Sequence, residues 1–268
     1  MKKILALTLA LLMVAALCVA CAPKANDDKT ITVAATPAPH AEILEICKDI
    51  LAEQGYTLDI KVMNDYIIPN NATESGDVDA NYFQHTPYLD EFNASNGTHL
   101  VTVAKVHYEP FGIYAGVSAD LNLPEGAKIA VPNDATNEAR ALLLLEANGL
   151  IKLNENAGLT ATKNDIAENP LGLDIIEMEA ALLPTVLDEV NVAVINGNYA
   201  IDAGLKVSEA IATEDAESVA AQTYANILVV KEGNQELEKI TVLKDALLSD
   251  AVRDYINGTY EGAVIAIF

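Results

Sequence analysis

Short apolar segments alternate with longer segments of helical period from about residue 30 to the end of the chain. The segment ITVAATP at residues 31–37 has the length and composition of a strand. After Pro39, which suits a first helical turn, apolar residues share one helical face up to Gly55, a residue that suits a helix end: Ile43, Ile46, Cys47, Ile50 and Leu51. Further strands are predicted at 57–64, 78–84, 100–108, 111–117, 128–132, 173–179, 190–196 and 226–233, and further helices at 136–149 and 234–258. This alternation predicts an α/β protein with largely parallel sheets.

The first residues have the layout of a secretory signal. Lys2 and Lys3 precede an uncharged apolar run that ends in small residues directly before Cys21. Cysteine at that place, followed by a polar stretch, is typical of a bacterial lipoprotein, so residues 1–20 are predicted to be removed and Cys21 to carry lipid. Residues 21–30 then form a tether. An uncleaved membrane anchor is the alternative, although the apolar run is shorter than the roughly 20 residues of a spanning helix. Both interpretations place the folded part outside the cytoplasm.

Charge and cysteine content narrow the class of protein further. The formal charge is −23, and the loss of Lys2 and Lys3 with the signal would make it −25 on 268 less 20, or 248, residues. Such a surface repels a phosphate backbone, which excludes nucleic acid as a partner. Cys47 is the only cysteine left in the body, so no intramolecular disulfide is expected and stability must come from a core. The length allows one large domain or two lobes.

An aromatic cluster stands out in DANYFQHTPYLD, residues 79–90, because aromatic residues are few elsewhere. It contains Tyr82, Phe83, His85 and Tyr88. A core would have to supply hydrogen-bond partners for the hydroxyls and the imidazole, whereas a binding cleft favours apolar faces beside a few polar groups. From these residues alone, core and cleft both remain open.

Polar residues follow several predicted strands, at the sheet edge where ligands bind in α/β folds. Asparagine after a strand commonly marks a turn, so each position alone has a local explanation. Together they suggest a shared cleft mouth. The residues are Asn81, Tyr82 and Phe83 towards the end of the third predicted strand, Asn133 and Asp134 after the sixth, and Asn196 and Asn198 at the end of the eighth.

Arg140 lies in a predicted helix on a face that also carries Leu143, Leu144 and Ala147. A guanidinium among apolar side chains needs an anion. An acidic side chain of the protein could supply it, and a ligand carboxylate is the alternative because arginine binds carboxylates in bidentate geometry.

The chain resembles the NlpA family of lipoproteins, the methionine-binding components of bacterial ABC importers. The resemblance rests on DYIIPNNA (65–72), DVDANYFQHTPYLDEFN (77–93), VHYEPFGIYAG (107–116), IAVPNDATNEARALLLLE (129–146), AVINGNYA (193–200) and TYANILVV (223–230). It implies the two-lobed type II periplasmic-binding-protein fold, in which the chain crosses twice between lobes and the ligand lies in the interlobe cleft. Lobe 1 would comprise residues 31–112 and 223–268, and lobe 2 residues 113–222, with crossovers near 110–116 and 220–226.

The resemblance also implies ligand-binding residues: Tyr66, Phe83, His85, Tyr88, Arg140, Asn196 and Asn226. Tyr66 and Phe83 would flank the methionine side chain in an aromatic slot, and His85 and Tyr88 would complete that pocket with polar groups. Arg140 would bind the carboxylate. Asn196 and Asn226 would hold the polar end of the ligand, with Asn198 competing with Asn196 for that role.

The expected function is therefore capture of methionine, with L-methionine as the hypothesis, by a lipid-anchored extracytoplasmic protein. D-methionine or a methionine dipeptide are alternatives within the family. The expected partners are a permease, an ATPase and the membrane through lipid on Cys21; no cofactor and no metal are expected, and the protein should be a monomer. An adhesin is an alternative from another class of protein. A membrane-tethered hydrolase would have to use His85 or His107, but the sequence lacks GxSxG and HExxH motifs, and His40, His99 and His107 are interpreted as surface or satisfied residues.

Overall fold

The computed structural model describes residues 29–215 and 223–268. The predicted signal, Cys21 and nearly all of the predicted tether lie outside these residues. Within the described ranges, no helix has both the length and the apolar composition needed to cross a bilayer. The chain forms two mixed sheets, each covered by helices, and these two bodies are called here the first and second lobe.

The sheet of the first lobe has six strands in the order β13-β4-β12-β3-β1-β2. Strand β1 is parallel to β2 and β3, whereas β12 is antiparallel to both β3 and β4, and β13 is antiparallel to β4. The strands are β1 (Thr30–Ala35), β2 (Thr57–Val62), β3 (Ala80–His85), β4 (Leu100–Tyr108), β12 (Asn226–Lys231) and β13 (Ile265–Ala266).

The sheet of the second lobe has five strands in the order β11-β5-β10-β6-β9. Strand β6 is parallel to β9 and β10, and β5 is antiparallel to β10 and β11. The strands are β5 (Gly112–Ala115), β6 (Lys128–Pro132), β9 (Asp174–Met178), β10 (Val192–Ile195) and β11 (Ala212–Thr213), and β7 (Lys152–Leu153) pairs separately with β8 (Ile166–Glu168). The expectation of largely parallel sheets is therefore wrong, because in both sheets the strands next to a crossing between the lobes are antiparallel to their neighbours.

The helices cover both sheets. They are α1 (Glu42–Glu53), α2 (Ile68–Ser75), α3 (Thr86–Asn96), α4 (Ala135–Ala147), α5 (Gly197–Asp202), α6 (Glu238–Leu247) and α7 (Asp250–Thr259), with short helical turns at Pro37–Ala41, Gly158–Thr160, Lys163–Asp165, Ala180–Val186 and Val207–Glu209. The helix predicted at 234–258 is two helices, because Ser249 has extended backbone and its hydroxyl accepts from the Val252 N–H at the start of α7. Pro39 lies in the turn before α1 rather than in its first turn.

Each lobe has its own apolar core. In the first lobe, α1 and α6 pack on the sheet, and Cys47 of α1 is fully buried there, as its place on the apolar face predicted. Burial raises the pKa of the Cys47 thiol to about 12, which keeps it protonated and unreactive. In the second lobe, α4 packs its leucines on the sheet. Two separate cores allow the lobes to move as bodies.

The chain passes from the first sheet to the second between Tyr108 and Gly112. It returns between Thr213 and Asn226, a stretch that includes residues outside the described ranges. Both passages adjoin the gap between the lobes, so residues at these crossovers, such as Glu109 and Glu214, can contact both lobes.

Gly116, just after β5, lies where no side chain fits. An added Cβ would lie 2.5 Å from the carbonyl oxygen of Leu187 and closer still to that of Val190. Because backbone must move to relieve this clash, Gly116→Ala should lower the free energy of unfolding by about 3 kcal/mol and Tm by about 6–12 °C. The matched control is Gly258→Ala in α7, where a Cβ meets no atom of the described residues within 4 Å and should add about 0.5–1 kcal/mol of stability. Calorimetry of both variants checks this, and equal Tm values for Gly116→Ala and the wild type would contradict it.

Candidate ligand-binding site

A small cavity lies between the two lobes. All of the residues that the resemblance assigned to ligand line it, together with others that the sequence did not single out. The lining residues are Tyr66, Phe83, Gln84, His85, Tyr88, Glu109, Asn137, Arg140, Asn196, Gly197, Asn198 and Asn226. The structure thus brings the candidates together, while the role of each toward a ligand stays a prediction.

One wall of the cavity is aromatic. The ring centroids of Tyr66 and Phe83 are 5.7 Å apart, those of Tyr66 and Tyr88 are 5.6 Å apart, and Tyr199 stacks behind Tyr66 at 5.0 Å. These distances are typical of rings in direct contact, which leaves no space for a thioether between Tyr66 and Phe83. The geometry is an aromatic wall against which an apolar group can pack, and the slot for a methionine side chain stays a prediction.

The cluster at residues 79–90 is both core and cleft. Successive side chains of β3 point to opposite faces, so Tyr82 is fully buried in the first lobe and its hydroxyl bonds to His107, while Phe83 faces the cavity. His85 caps α3: its Nδ1 accepts from the Tyr88 N–H, and its Nε2–H donates to the Asn137 Oδ1 at 3.0 Å. The Tyr88 hydroxyl donates to the Tyr66 carbonyl. The His85 imidazole and the Tyr88 hydroxyl therefore already form hydrogen bonds within the protein. These two residues present mainly the faces of their rings to a ligand.

Burial lowers the pKa of His85 to about 4, with the Arg140 charge acting in the same direction. The imidazole is therefore neutral at pH 7. In that state Nε2 carries the proton that Asn137 accepts, so the hydrogen bond itself selects the tautomer.

Arg140 projects from α4 and lines the same cavity, and its guanidinium carbon lies 4.8 Å from the ring centroid of Phe111 and 4.3 Å from that of Tyr224. Its Nε–H and Nη2–H groups donate to the Glu214 carboxylate at 2.8 and 2.5 Å, and Nη2 also donates to the Glu109 carbonyl oxygen at 2.9 Å. Burial alone would lower the pKa of Arg140, but the Glu214 charge outweighs it and the pKa stays above its ordinary value. The sequence left the anion for Arg140 undetermined, and the structure shows that Glu214, at the second crossover, is an acidic side chain that pairs with it. Because the bonds use Nε and Nη2, the Nη1 edge is where a ligand carboxylate could add.

Asn226 begins β12, and two hydrogen bonds within the first lobe fix the orientation of its side chain. The Thr36 hydroxyl donates to His40 Nδ1 at 2.7 Å, and His40 Nε2–H donates to the Asn226 Oδ1 at 2.9 Å. With its oxygen occupied in this way, Asn226 presents its amide N–H groups to the cavity. It is a donor toward the ligand.

Asn196 and Asn198 both line the cavity but differ in their bonds. The Asn196 amide donates from Nδ2 to the Asn137 Oδ1 at 3.0 Å, and its own Oδ1 is buried without a hydrogen-bond partner among the residues that the structure describes. The Asn198 Oδ1 accepts from the Tyr66 hydroxyl at 2.5 Å, a bond that joins the two lobes. Asn196 is therefore the one with a free acceptor, and Asn198 contributes to closure.

Sequence reasoning missed Glu109 and Asn137. Asn137 lies one helical turn before Arg140, so the two share a face of α4 that points at the cavity. Glu109 is the only acidic residue in the otherwise apolar and aromatic stretch VHYEPFGIY, and that isolation was the available indication.

The predicted cleft mouth is partly wrong. Asn81 is fully buried within β3 and donates to Asn70 and Thr73, away from the cavity. Asp134 caps α4 by accepting from the Asn137 N–H, and Asn133 is exposed. These residues have the local roles that asparagine and aspartate commonly take after strands.

The remaining histidines fit their interpretation as surface or satisfied groups. His99 is exposed beside Glu74, whereas His40 and His107 are fully buried and hydrogen-bonded. The ring nitrogens of His40 and His107 lie with a Glu109 oxygen within 4.8 Å of one another. They already bond to Glu109 and Asn226, so the arrangement favours a hydrogen-bonded network over a metal centre.

Two lobes that enclose a cavity and are connected by two crossings of the chain define a two-lobed periplasmic-binding-protein fold. A cavity lined by aromatic rings, an arginine and asparagine amides suits a small amphiphilic solute. The chain belongs to the NlpA lipoprotein family, whose family model matches residues 31–268.

Similar proteins cover nearly the whole chain. A putative lipoprotein from Ruminococcus gnavus is 56% identical with a TM-score of 0.89, over 90% of this chain and 100% of that one. A nutrient binding protein from Burkholderia cenocepacia, solved bound to methionine, is 40% identical with a TM-score of 0.85, over 89% and 100% of the chains. The D-methionine-binding lipoprotein MetQ of Escherichia coli strain K12 is 38% identical over 92% of each chain.

Proposed function

We propose that this protein is a lipid-anchored extracytoplasmic solute-binding protein that captures methionine and delivers it to an ABC importer. The observation that carries the proposal is that aromatic rings and the Arg140 guanidinium line one interlobe cavity. A thioether gains from contact with aromatic rings, and a guanidinium suits a carboxylate. The family membership and the methionine-bound structural relative support the same ligand.

The ligand would lie with its side chain against Tyr66, Phe83, His85 and Tyr88 and its carboxylate on Arg140. The amide N–H groups of Asn226 add donors beside that carboxylate. Asn196 offers an acceptor on the other side. In this proposal the first lobe supplies the aromatic rings and the second lobe supplies Arg140 and Asn196, so the ligand contacts both lobes.

Ligand binding would favour the closed arrangement of the lobes. The proposed lobes are residues 31–112 with 223–268, and residues 113–222. Bonds across the gap accompany closure, among them Tyr66 to Asn198 and His85 to Asn137. A ligand that contacts both sides adds free energy only to the closed state, so it shifts the population toward closure. The closed form is what the importer would recognise.

The anchor and the partners complete the proposal. Residues 1–20 are the proposed signal, Cys21 the lipidated residue, and residues 21–30 the tether. The protein would act as a monomer with a permease and an ATPase. The buried bonds of His85 and His107 argue against a hydrolase, because both ring nitrogens of each already bond within the protein: His85 to Tyr88 and Asn137, and His107 to Tyr82 and Glu109.

The ligand itself has close alternatives. D-methionine is one, since the relative from Escherichia coli carries that name, and a methionine dipeptide is another. The test is isothermal titration of L-methionine, D-methionine, glycyl-methionine and L-leucine into residues 22–268 after unfolding and refolding to remove any carried ligand. Tight one-to-one binding of L-methionine and at least about 100-fold weaker binding of leucine supports the proposal. Absence of binding for all four, in a protein that refolds, would contradict it.

A further inference from the structure

A buried acidic side chain lies in the second lobe, away from the residues that line the interlobe cavity. Glu138 is on the apolar face of α4, because Leu142 and Leu145 follow it at four and seven positions and both are fully buried in the core of that lobe. Only 4% of Glu138 is exposed. Its carboxyl group is thus placed where a core side chain would be expected.

Glu177 approaches the same place from the sheet. In β9, Ile176 and Met178 pack on one face of the sheet, whereas Ile175 packs on the other face in the core that contains the α4 leucines. Side chains of a strand alternate between faces, so Glu177 shares the face of Ile175. Strand β9 pairs in parallel with β6, and α4 follows β6 after a short turn. The Glu177 side chain accordingly reaches the first turns of α4 and lies in hydrogen-bond contact with Glu138.

Both carboxyl groups contact the same lysine. The Lys163 backbone N–H donates to Glu138 Oε1 at 2.8 Å, and its Nζ donates to Glu177 Oε2. Two other acidic residues belong to the elements packed here. Asp165 accepts from the N–H and hydroxyl of the threonine that begins its own turn, and the charge of Asp174, at the start of β9, acts on the Lys163 ammonium. Among the described residues that face Glu138, two carboxyl groups therefore share one ammonium group.

A proton between the two carboxyl groups removes their repulsion. With both ionised, two negative groups would be in contact at a buried place, which is costly. Burial raises the pKa of Glu138 to about 7, and the Glu177 charge acts in the same direction. Below neutral pH the Glu138 carboxyl therefore has a proton that it can donate to the Glu177 carboxylate.

We propose that Glu138 and Glu177 form a pH-sensitive carboxyl pair, in which a proton held between the two groups joins α4 to β9 and its loss above neutral pH weakens the second lobe. The pair lies outside the ligand cavity. The inference therefore concerns the stability of the lobe, and it does not depend on which solute the protein binds.

The direction of the pH effect follows from the number of bound protons. In the unfolded chain Glu138 would have its ordinary pKa of 4.5, so between about pH 4.5 and 7 the folded state binds more protons than the unfolded state. The stabilising contribution of Glu138 is therefore complete below about pH 4.5, and it is lost as the pH rises through about 7.

The test is thermal unfolding of the wild type and of Glu138→Gln at about pH 5 and about pH 8.5. Glutamine keeps an oxygen that accepts from the Lys163 N–H, and it supplies an N–H donor to Glu177 that no base removes. The Tm of the variant should lie within about 1 °C of the wild-type value at the lower pH and exceed it by at least about 3 °C at the higher pH. A difference in Tm that is the same at both pH values would overturn the inference.

The matched control is Glu146→Gln, which makes the same atomic change on the same helix. The Glu146 Oε1 accepts from the Leu153 N–H at 2.8 Å, so its bond goes to a backbone donor rather than to a second carboxyl group. The difference in Tm between this variant and the wild type should be equal at the two pH values. A gain at the higher pH as large as that of Glu138→Gln would attribute the effect to the loss of any negative charge from α4, and would overturn the carboxyl pair.

Carbon-13 NMR of the wild type measures the proton directly, so this arm does not require Glu138→Gln to fold. The Glu138 carboxyl carbon, assigned through its backbone, should titrate with a midpoint near pH 7. Glu177→Gln should lower that midpoint by at least about one pH unit, because it removes the neighbouring charge. A wild-type midpoint below about pH 5.5, or an unchanged midpoint in folded Glu177→Gln, would overturn the inference.

Discussion

Replacing Arg140 by methionine and Glu214 by glutamine together should reduce the affinity for L-methionine by at least about 100-fold. The variant removes the guanidinium proposed to bind the ligand carboxylate, and it removes the partner charge at the same time. The single variant Arg140→Ala is a weaker test because it leaves Glu214 buried and unpaired, which costs about 3–5 kcal/mol of stability. In the double variant the amide oxygen of Gln at position 214 can still accept from the Tyr108 hydroxyl and the Phe111 N–H, as Glu214 does now.

The control for this prediction is Glu214→Gln alone. It retains the Arg140 charge, so L-methionine affinity should stay within about tenfold of the wild-type value. Titration calorimetry gives both affinities, and thermal unfolding verifies that both variants are folded. A folded double variant with near wild-type affinity would contradict the assignment of the ligand carboxylate to Arg140.

Truncating Phe83 to alanine should weaken L-methionine binding at least tenfold and lower the free energy of unfolding by about 3–5 kcal/mol. Phe83 is 3% exposed, packs on Tyr66 and Tyr88, and lines the cavity. Its loss removes part of the aromatic wall and leaves a void where the thioether is proposed to pack. Denaturant unfolding and ligand titration measure the two effects separately.

Phe92→Ala is the matched control for Phe83. Phe92 belongs to the same aromatic cluster and is 6% exposed, but it packs behind Tyr88 and does not line the cavity. The stability cost should be similar, while affinity should change by no more than about threefold. Equal losses of affinity in the two variants would mean that the aromatic cluster supports the ligand only through its stability.

The fold was predictable where a local pattern determines the element. The apolar face of α1, with Cys47 in the core, and most strands follow from periodicity along the chain. The relative direction of strands does not, since β12 pairs between β3 and β4 only after a passage through the second lobe. The prediction of one helix at 234–258 failed because its apolar pattern continues across Ser249, where the backbone leaves the helix.

The site was predictable in its residue types and much less so in its bonds. The aromatic residues and Arg140 could be chosen from their sequence context and the family resemblance. Arg140 and Glu214 are separated by 74 positions, and His40 and Asn226 by 186, so no local pattern pairs them. Those pairings decide which amide presents a donor and which an acceptor.

The most direct test of the central claim is a crystal structure of the refolded, unlabelled protein with L-selenomethionine, with the selenium located by anomalous scattering. The proposed function predicts one strong peak in the interlobe cavity, about 5 Å from the rings of Tyr66 and Phe83, with the ligand carboxylate on Arg140. A selenium peak at the Arg140 end, or a bound ligand outside the cavity, would contradict the account.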